Sequence, residues 1–290
     1  MYDPAHPASE LDTRPLTGAL GAEIYGVDLA QLSDTQFQAL HRDFLHYGVL
    51  AIRNQTLTPP QLLELAERFG SAEIHPIVQG LPELPQVIKI HKAAGDPATF
   101  GIGWHSDNSF TTQPSLCSLV LASTVPPVGG DTLFANQYLA FDQLSSGLRD
   151  MLRGLRAVHS ARNAYTAPTT TDKYEGKTTM AYSRSEIIEA EVLHPVVHQH
   201  PQTGRESLFI NPMFTLKFEN MSEDESRPLL DYLFRHSTRE DFQCRVRWQP
   251  DTLTIWDNRC VQHSALNDCQ GHERILYRVT VAGDQPVGRQ

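Results

Sequence analysis

The sequence predicts a mostly β protein, a jelly roll or barrel with flanking helices packed outside, on three observations. From Val87 onward the chain runs through short apolar stretches rich in β-formers, separated by turn residues. Its 290 residues suit one large β-rich unit that buries a sizeable core without covalent staples. No internal repeat, low-complexity tract or long linker divides it, so residues 1–290 are expected to form a single domain.

In chain order, residues 1–10 hold prolines and polar side chains and are expected to fray. Residues 16–29 mix β-formers with glycines, the pattern of short strands joined by tight turns. Ser33 with Gln36 three residues later reads as a capping box, and Phe37, Leu40, Phe44 and Leu45 recur at helical spacing behind it. Residues 49–53 read as a buried strand. Thr58, Pro59 and Gln61 start a second helix that runs to about Phe69, with Gly70 as its stop. Strands are then expected at 87–90, 116–123, 132–135, 191–197, 207–210, 244–248, 253–256 and 275–281, with helices near 136–154 and 222–236. Residues 163–183, rich in Thr, Lys and Gly and weakly periodic, are the candidate active-site lid loop.

Composition narrows the function. Apolar residues make up 40% and charged residues 20%, with no apolar run of about 18, so a soluble chain with no membrane partner is expected. The start lacks the basic and apolar segments of a secretory signal, which points to the cytoplasm. Cys117, Cys244, Cys260 and Cys269 are scattered without a C-x-x-C pair and read as reduced thiols. A net charge of −10 argues against nucleic acid, and an anionic substrate would need local arginines.

The sharpest chemical signal is Trp104-His105-Ser106-Asp107, taken with His263 downstream. On a strand-like segment residues two apart share a side, so His105 and Asp107 can present an imidazole and a carboxylate to one ion, with His263 completing a face. Two histidines and one carboxylate leave positions open, which suits Fe(II) oxygenases; a structural zinc site would be closed by four protein ligands. An H-x-D alone is common. What adds weight is Arg274 and Arg278, four apart on an expected strand and therefore on one face. Interior guanidiniums are costly unless each meets an anion, which implies two bound acidic groups. Pairing with Asp or Glu, or escape to solvent, is the ordinary alternative. A metal-dependent hydrolase on the same triad and a non-catalytic protein that binds 2-oxoglutarate or a metal also stay open here. Of these, hydrolysis leaves a second anion clamp unexplained.

Four motifs, in order, carry a resemblance: Gly21-Ala-Glu-Ile-Tyr-Gly-Val-Asp-Leu29; Trp104-His-Ser-Asp107; Gly129-Gly-Asp-Thr132-Leu-Phe; and Trp256-Asp-Asn-Arg-Cys-Val-Gln-His263 with Arg274 and Arg278. From about Pro15 to Pro286 the chain resembles the taurine dioxygenase and 2,4-dichlorophenoxyacetate dioxygenase family. The resemblance implies a double-stranded β-helix (jelly roll, cupin-like) core and three requirements, Fe(II), 2-oxoglutarate and O2, with no haem and no nucleotide. It implies iron at His105, Asp107 and His263. It also implies 2-oxoglutarate at Thr132 and Arg274, with Trp256 beside it, Asn258 orienting the ligands, and Arg278 and His75 meeting an acidic substrate. Succinate and carbon dioxide would leave as co-products of a hydroxylation, with cleavage of the carbon–heteroatom bond where the hydroxylated carbon carries one. A homo-oligomer, dimer or tetramer, follows from the same resemblance.

Two positions depart from the taurine-specific pattern. Val78 stands where that pattern has Tyr, and Gly101 where it has Asn. Both changes remove hydrogen-bonding groups from the expected substrate side, which favours an anion larger or more apolar than taurine: an alkylsulfonate, an alkyl sulfate ester or an aryloxyalkanoate. His194, His198 and His200 contain an H-x-H, read as an ordinary strand and turn, and Cys260 as a buried inert thiol.

Overall fold

The computed structural model describes residues 10–97, 99–165, 180–182 and 186–289. The expected frayed start lies almost entirely outside these residues, as does most of the expected lid. Strands β1 (Asp12–Pro15) and β2 (Ala22–Tyr25) open the chain and pair antiparallel. Helix α1 (Asp34–Tyr47) begins at Ser33, which closes a capping box with Gln36, and ends where Gly48 turns left-handed at φ 70°. After β3 (Val49–Ile52), α2 (Pro59–Glu67) starts at Thr58 with the same kind of box, made with Gln61. Then come β4 (Val87–Lys92), β5 (Ser115–Thr124) and β6 (Thr132–Asn136).

The helix expected near 136–154 is two: α3 (Gln137–Asp142), capped by Asn136, and α4 (Ser146–Arg153), capped by Ser145. Strand β7 (Arg156–His159) and the short α5 (Arg162–Tyr165) follow. The strand expected at 191–197 is divided into β8 (Val192–Pro195) and β9 (Val197–Gln199), because Pro195 and the following residue turn the chain. The remaining elements are β10 (Glu206–Leu208), β11 (Thr215–Phe218), α6 (Glu223–Ser237), β12 (Gln243–Val246), β13 (Leu253–Asp257), β14 (Val261–Ala265) and β15 (Arg274–Ala282).

One seven-stranded sheet has the order β1-β2-β3-β13-β5-β15-β4, antiparallel except where β2 meets β3. A three-stranded sheet, β12-β6-β14, stands opposite it, with β11-β7-β8 and β10-β9 to the side. The strand period of two divides the large sheet into faces. Leu119, Leu121, Leu253, Ile255, Val279 and Val281 pack outward against Leu40, Phe44, Leu62 and Leu65 of α1 and α2. Val120, Ala122, Trp256 and Leu276 pack inward against Phe134, Val246 and Val261 of the small sheet. Two facing sheets with helices on the outer face make the jelly-roll core with flanking helices that the sequence predicts. Ser118, Arg274 and Arg278 sit in register with the inward set, so the fold aims a hydroxyl and two guanidiniums into its own interior. Among the described residues no helix is long and apolar enough to cross a membrane.

Candidate metal centre and active site

His105 and His263 face each other across an isolated antiparallel bridge. The His105 N–H donates to the His263 carbonyl at 3.0 Å and the His263 N–H returns the bond at 2.8 Å. The rings stand 4.1 Å apart, and each Nε2 looks at one oxygen, Asp107 Oδ1, at 3.6 Å from His105 and 3.7 Å from His263. All three side chains are buried. The expected mechanism of convergence differs from the observed one. His105 and Asp107 do not lie on a strand: the chain makes a single bridge to β14 at His105, flanked by bonds of Gly101, Gly103 and Ser106 to Ala265, Ser264 and Val261, and enters a turn at Asp107, followed by Asn108 at φ 53°. Backbone pairing to β14 and a left-handed turn, rather than strand alternation, bring the carboxylate round.

The electrostatics leave His263 and Asp107 ready to donate lone pairs. Burial pushes the His263 imidazole well below its ordinary range, with His105 adding to the effect, so it is neutral at physiological pH. Burial alone would raise the Asp107 carboxyl, but Arg278 and His263 hold it well below the usual carboxylate value. His105 Nδ1 bonds the Gly103 carbonyl at 2.8 Å, which orients the ring and places its proton on Nδ1.

Asp107 is also gripped from behind. Ser118 Oγ donates to its Oδ2 at 2.6 Å, and the Asp107 N–H donates to Asn258 Oδ1 at 3.2 Å. Asn258 Oδ1 also accepts from Trp256 Nε1 at 2.9 Å, while its Nδ2 donates to Ser118 Oγ at 3.1 Å. Trp256 lies 4.6 Å from the His263 ring, centroid to centroid. Sequence pattern alone does not reveal Ser118. Its one signal is a hydroxyl at an inward position of an otherwise apolar strand.

Beside the trio, a narrow cavity of about 40 Å³ is lined by Thr132, Trp248, Trp256, His263, Arg274 and Arg278, among others. Thr132 Oγ1 accepts from Trp248 Nε1 at 3.0 Å, and an indole N–H is donor-only, so the threonine proton is left to point elsewhere. Arg274 is 2% exposed, its Nε has no hydrogen-bond partner, and burial lowers it to about 10. A second cavity, about 440 Å³, opens on the other side and is lined by His75, Gly101, His105, Asp107 and Arg278 together with Phe100, Ile102, Tyr165, Met180, Tyr182 and Phe214. Arg278 borders both cavities. Its Nη2 lies 3.0 Å from Asp107 Oδ1, a charge contact without hydrogen-bond alignment, and its Nε is unpartnered.

His75 Nδ1 accepts the N–H groups of Ile77 and Val78 at 3.1 and 2.9 Å, which places its proton on Nε2. Burial and then Arg278 depress its pKa to about 3, so it is neutral. Of the residues expected on the substrate side, His75, Gly101 and Arg278 line the larger cavity. Val78 does not; it is 2% exposed and packs with Ile88, Ile90 and Leu276.

The H-x-H segment is used otherwise. His200 Nδ1 accepts from the Gln202 and Thr203 N–H groups, and its Nε2 meets Asp257 Oδ2 at 3.1 Å. Asp257 also takes Nε and Nη2 of Arg259 at 2.8 and 2.7 Å. The group His200, Asp257 and Cys260 brings three metal-binding atom types together, but the guanidinium already fills the carboxylate.

Residues 12–280 match the family described as taurine catabolism dioxygenase TauD, TfdA family. An alkylsulfatase of Acinetobacter baylyi is 32% identical over 287 residues, covering 98% of this chain and 88% of the relative. An alpha-ketoglutarate-dependent sulfate ester dioxygenase of Pseudomonas putida is 32% identical over 289 residues, 97% of this chain and 92% of that one. The crystal structure of a taurine dioxygenase from Burkholderia xenovorans superposes with a TM-score of 0.79 at 32% identity, covering 97% of this chain and 94% of the other.

Proposed function

The chain belongs to the TauD/TfdA family, and from that premise we propose that it is an Fe(II)- and 2-oxoglutarate-dependent dioxygenase that hydroxylates a small anionic organic molecule, a sulfate ester or sulfonate with an apolar body. Two imidazole nitrogens and one carboxylate oxygen gathered at one point fit a divalent ion. An unpaired buried guanidinium beside a free threonine proton fits a carboxylate. When bound, the ion and 2-oxoglutarate supply the oxidising chemistry that turns O2, 2-oxoglutarate and a C–H bond into succinate, carbon dioxide and an alcohol.

In this reading His105 Nε2, His263 Nε2 and Asp107 Oδ1 would hold the ion. Arg274 and Thr132 fix the distal carboxylate of 2-oxoglutarate, with Trp256 walling the same cavity. Arg278 and the His75 Nε2–H receive the substrate's acidic group, while Phe100, Ile102 and Phe214 keep water from its apolar part. Asn258 sets the carboxylate ligand. A hydroxyl placed on a carbon that bears sulfate or sulfonate leaves an unstable product, and its C–O or C–S bond breaks. The whole chain serves as one catalytic domain, and a homo-oligomer is carried by the resemblance alone.

The observation that carries the reading is the pair of buried arginines, 2% and 3% exposed, with unpartnered nitrogens, that line the cavities beside the trio. A hydrolase would use the trio but leave Arg274 and Thr132 without an anion. The test is anaerobic addition of Fe(II) and 2-oxoglutarate, read by the visible charge-transfer band of the chelate. Oxygen is then admitted with a panel of alkyl sulfates, alkylsulfonates and aryloxyalkanoates while succinate is measured. Succinate release stimulated by the sulfates or sulfonates supports the reading. No band from folded protein removes it.

A further inference from the structure

We propose that Ser118 is a positioning residue that restricts Asp107 to a single metal-facing oxygen and so keeps one coordination position open that a two-oxygen carboxylate would close. The proposal rests on the dioxygenase reading above, and it concerns a residue outside the metal, 2-oxoglutarate and substrate sets.

The direction of every hydrogen bond in this corner is determined by groups that cannot reverse. The Trp256 indole and the Asp107 backbone N–H are donors only, and both point at Asn258 Oδ1, at 2.9 and 3.2 Å. That fixes the amide: Asn258 must present Nδ2 to Ser118, and it does so at 3.1 Å. Ser118 Oγ therefore accepts from Asn258, and its own proton is sent to Asp107 Oδ2, at 2.6 Å. The carboxylate is divided. Oδ2 is committed to a short bond with a neutral hydroxyl, while Oδ1 alone looks at both imidazoles.

The fold makes this arrangement stiff. Ser118 stands directly opposite Trp256 in the β5–β13 ladder and opposite Thr280 in the β5–β15 ladder, so its backbone is held on both sides. Asn258 is anchored by its N–H to the Leu116 carbonyl, and Asp257 before it by its N–H to the Gly48 carbonyl. Ser118 and Asn258 are buried, at 0% and 1% exposure, so water does not compete for the hydroxyl. A carboxylate with both oxygens free can take two positions on one ion. Co-substrate chelation and oxygen together need three open positions, which is what two imidazoles and one oxygen leave on a six-coordinate ion.

The test loads the full chain with Mn(II) and counts ion-bound water by water-proton relaxation. About three waters are expected in the unaltered protein and about two in Ser118→Ala, whose Mn(II) affinity rises roughly severalfold as the freed Oδ2 binds. Ser118→Thr restores the hydroxyl and returns the count to about three. Because Ser118→Ala also strands the Asn258 amide and can fail to fold, Ser118→Cys, close in size and a weak donor, is measured alongside, with a count below that of the unaltered protein. An unchanged count in both the Ala and Cys variants overturns the role of Ser118 and leaves the dioxygenase reading standing. Unaltered protein that binds no Mn(II) overturns both.

Discussion

The Asp107 carboxylate meets His105, His263, Arg278 and Ser118, and the site predicts one defect for loss of a converging donor and a separate one for loss of each buried arginine. Asp107→Ala or His263→Ala deletes one of the three converging donors, so iron-dependent succinate formation should vanish. Full activity in either variant would remove the metal assignment. Arg274→Ala deletes a charge-assisted fork and should raise the 2-oxoglutarate concentration needed for half-maximal rate roughly 10- to 100-fold. Arg278→Ala should damage substrate-stimulated turnover more than the slow 2-oxoglutarate decay seen without substrate, since it touches the larger cavity. Equal loss of both would show that its contact with Asp107 dominates. At this scale the candidate site was largely legible. Residue type and spacing mark His105, Asp107, His263, Arg274 and Arg278, the resemblance alone marks Thr132, and all six line the two adjoining cavities. Ser118 was not legible, because a single hydroxyl in an apolar strand has no pattern. Val78 marks the opposite limit: the sequence tells which residue stands there but not that it turns into the core.

At the level of elements, helix ends were the easiest to read. The Ser33 and Thr58 boxes fix the start of α1 and α2 through local chemistry alone. Strand β14 was the hardest, although it carries His263. Its residues Val261-Gln-His-Ser-Ala265 are buried throughout yet largely polar, because one side faces the site and the other bonds to β6 and α3. Functional strands violate the apolar alternation by which strands are recognised. The turn before β6 provides a test of how loops support the site. Gly129 has φ 83°, and an added Cβ would stand 2.4 Å from the Asp268 carbonyl oxygen. Gly129→Ala should therefore cost about 2–4 kcal/mol and weaken 2-oxoglutarate through Thr132 three residues on. Gly147, in α4, is the control, because a Cβ added there would meet nothing within 4 Å; Gly147→Ala should stabilise by roughly 0.5–1 kcal/mol in a denaturant titration.

Across the whole molecule, stability is tied to pH through histidines that the fold buries uncharged. Burial lowers His194 and His198 to about 4, and His75 to about 3, from an ordinary value of 6.5. His159, between His194 and Phe209, is likewise pushed well below its ordinary range by burial. A folded-state value below the unfolded one means that the stabilisation is complete above about 6.5 and is lost as pH falls through the folded values. Each fully buried histidine of this kind contributes on the order of 3 kcal/mol. Thermal unfolding should therefore be flat from about pH 8 to 7 and fall steeply between about 6 and 4, and His198→Gln should make that fall shallower. A midpoint independent of pH down to about 4.5 would contradict the burial of these rings. The mutual backbone hydrogen bonds of His105 and His263 have a consequence for synthesis. His263 is made 158 residues after His105, with both arginines later still. A growing chain therefore cannot assemble the proposed metal site until the strands that carry His263, Arg274 and Arg278 have all been made.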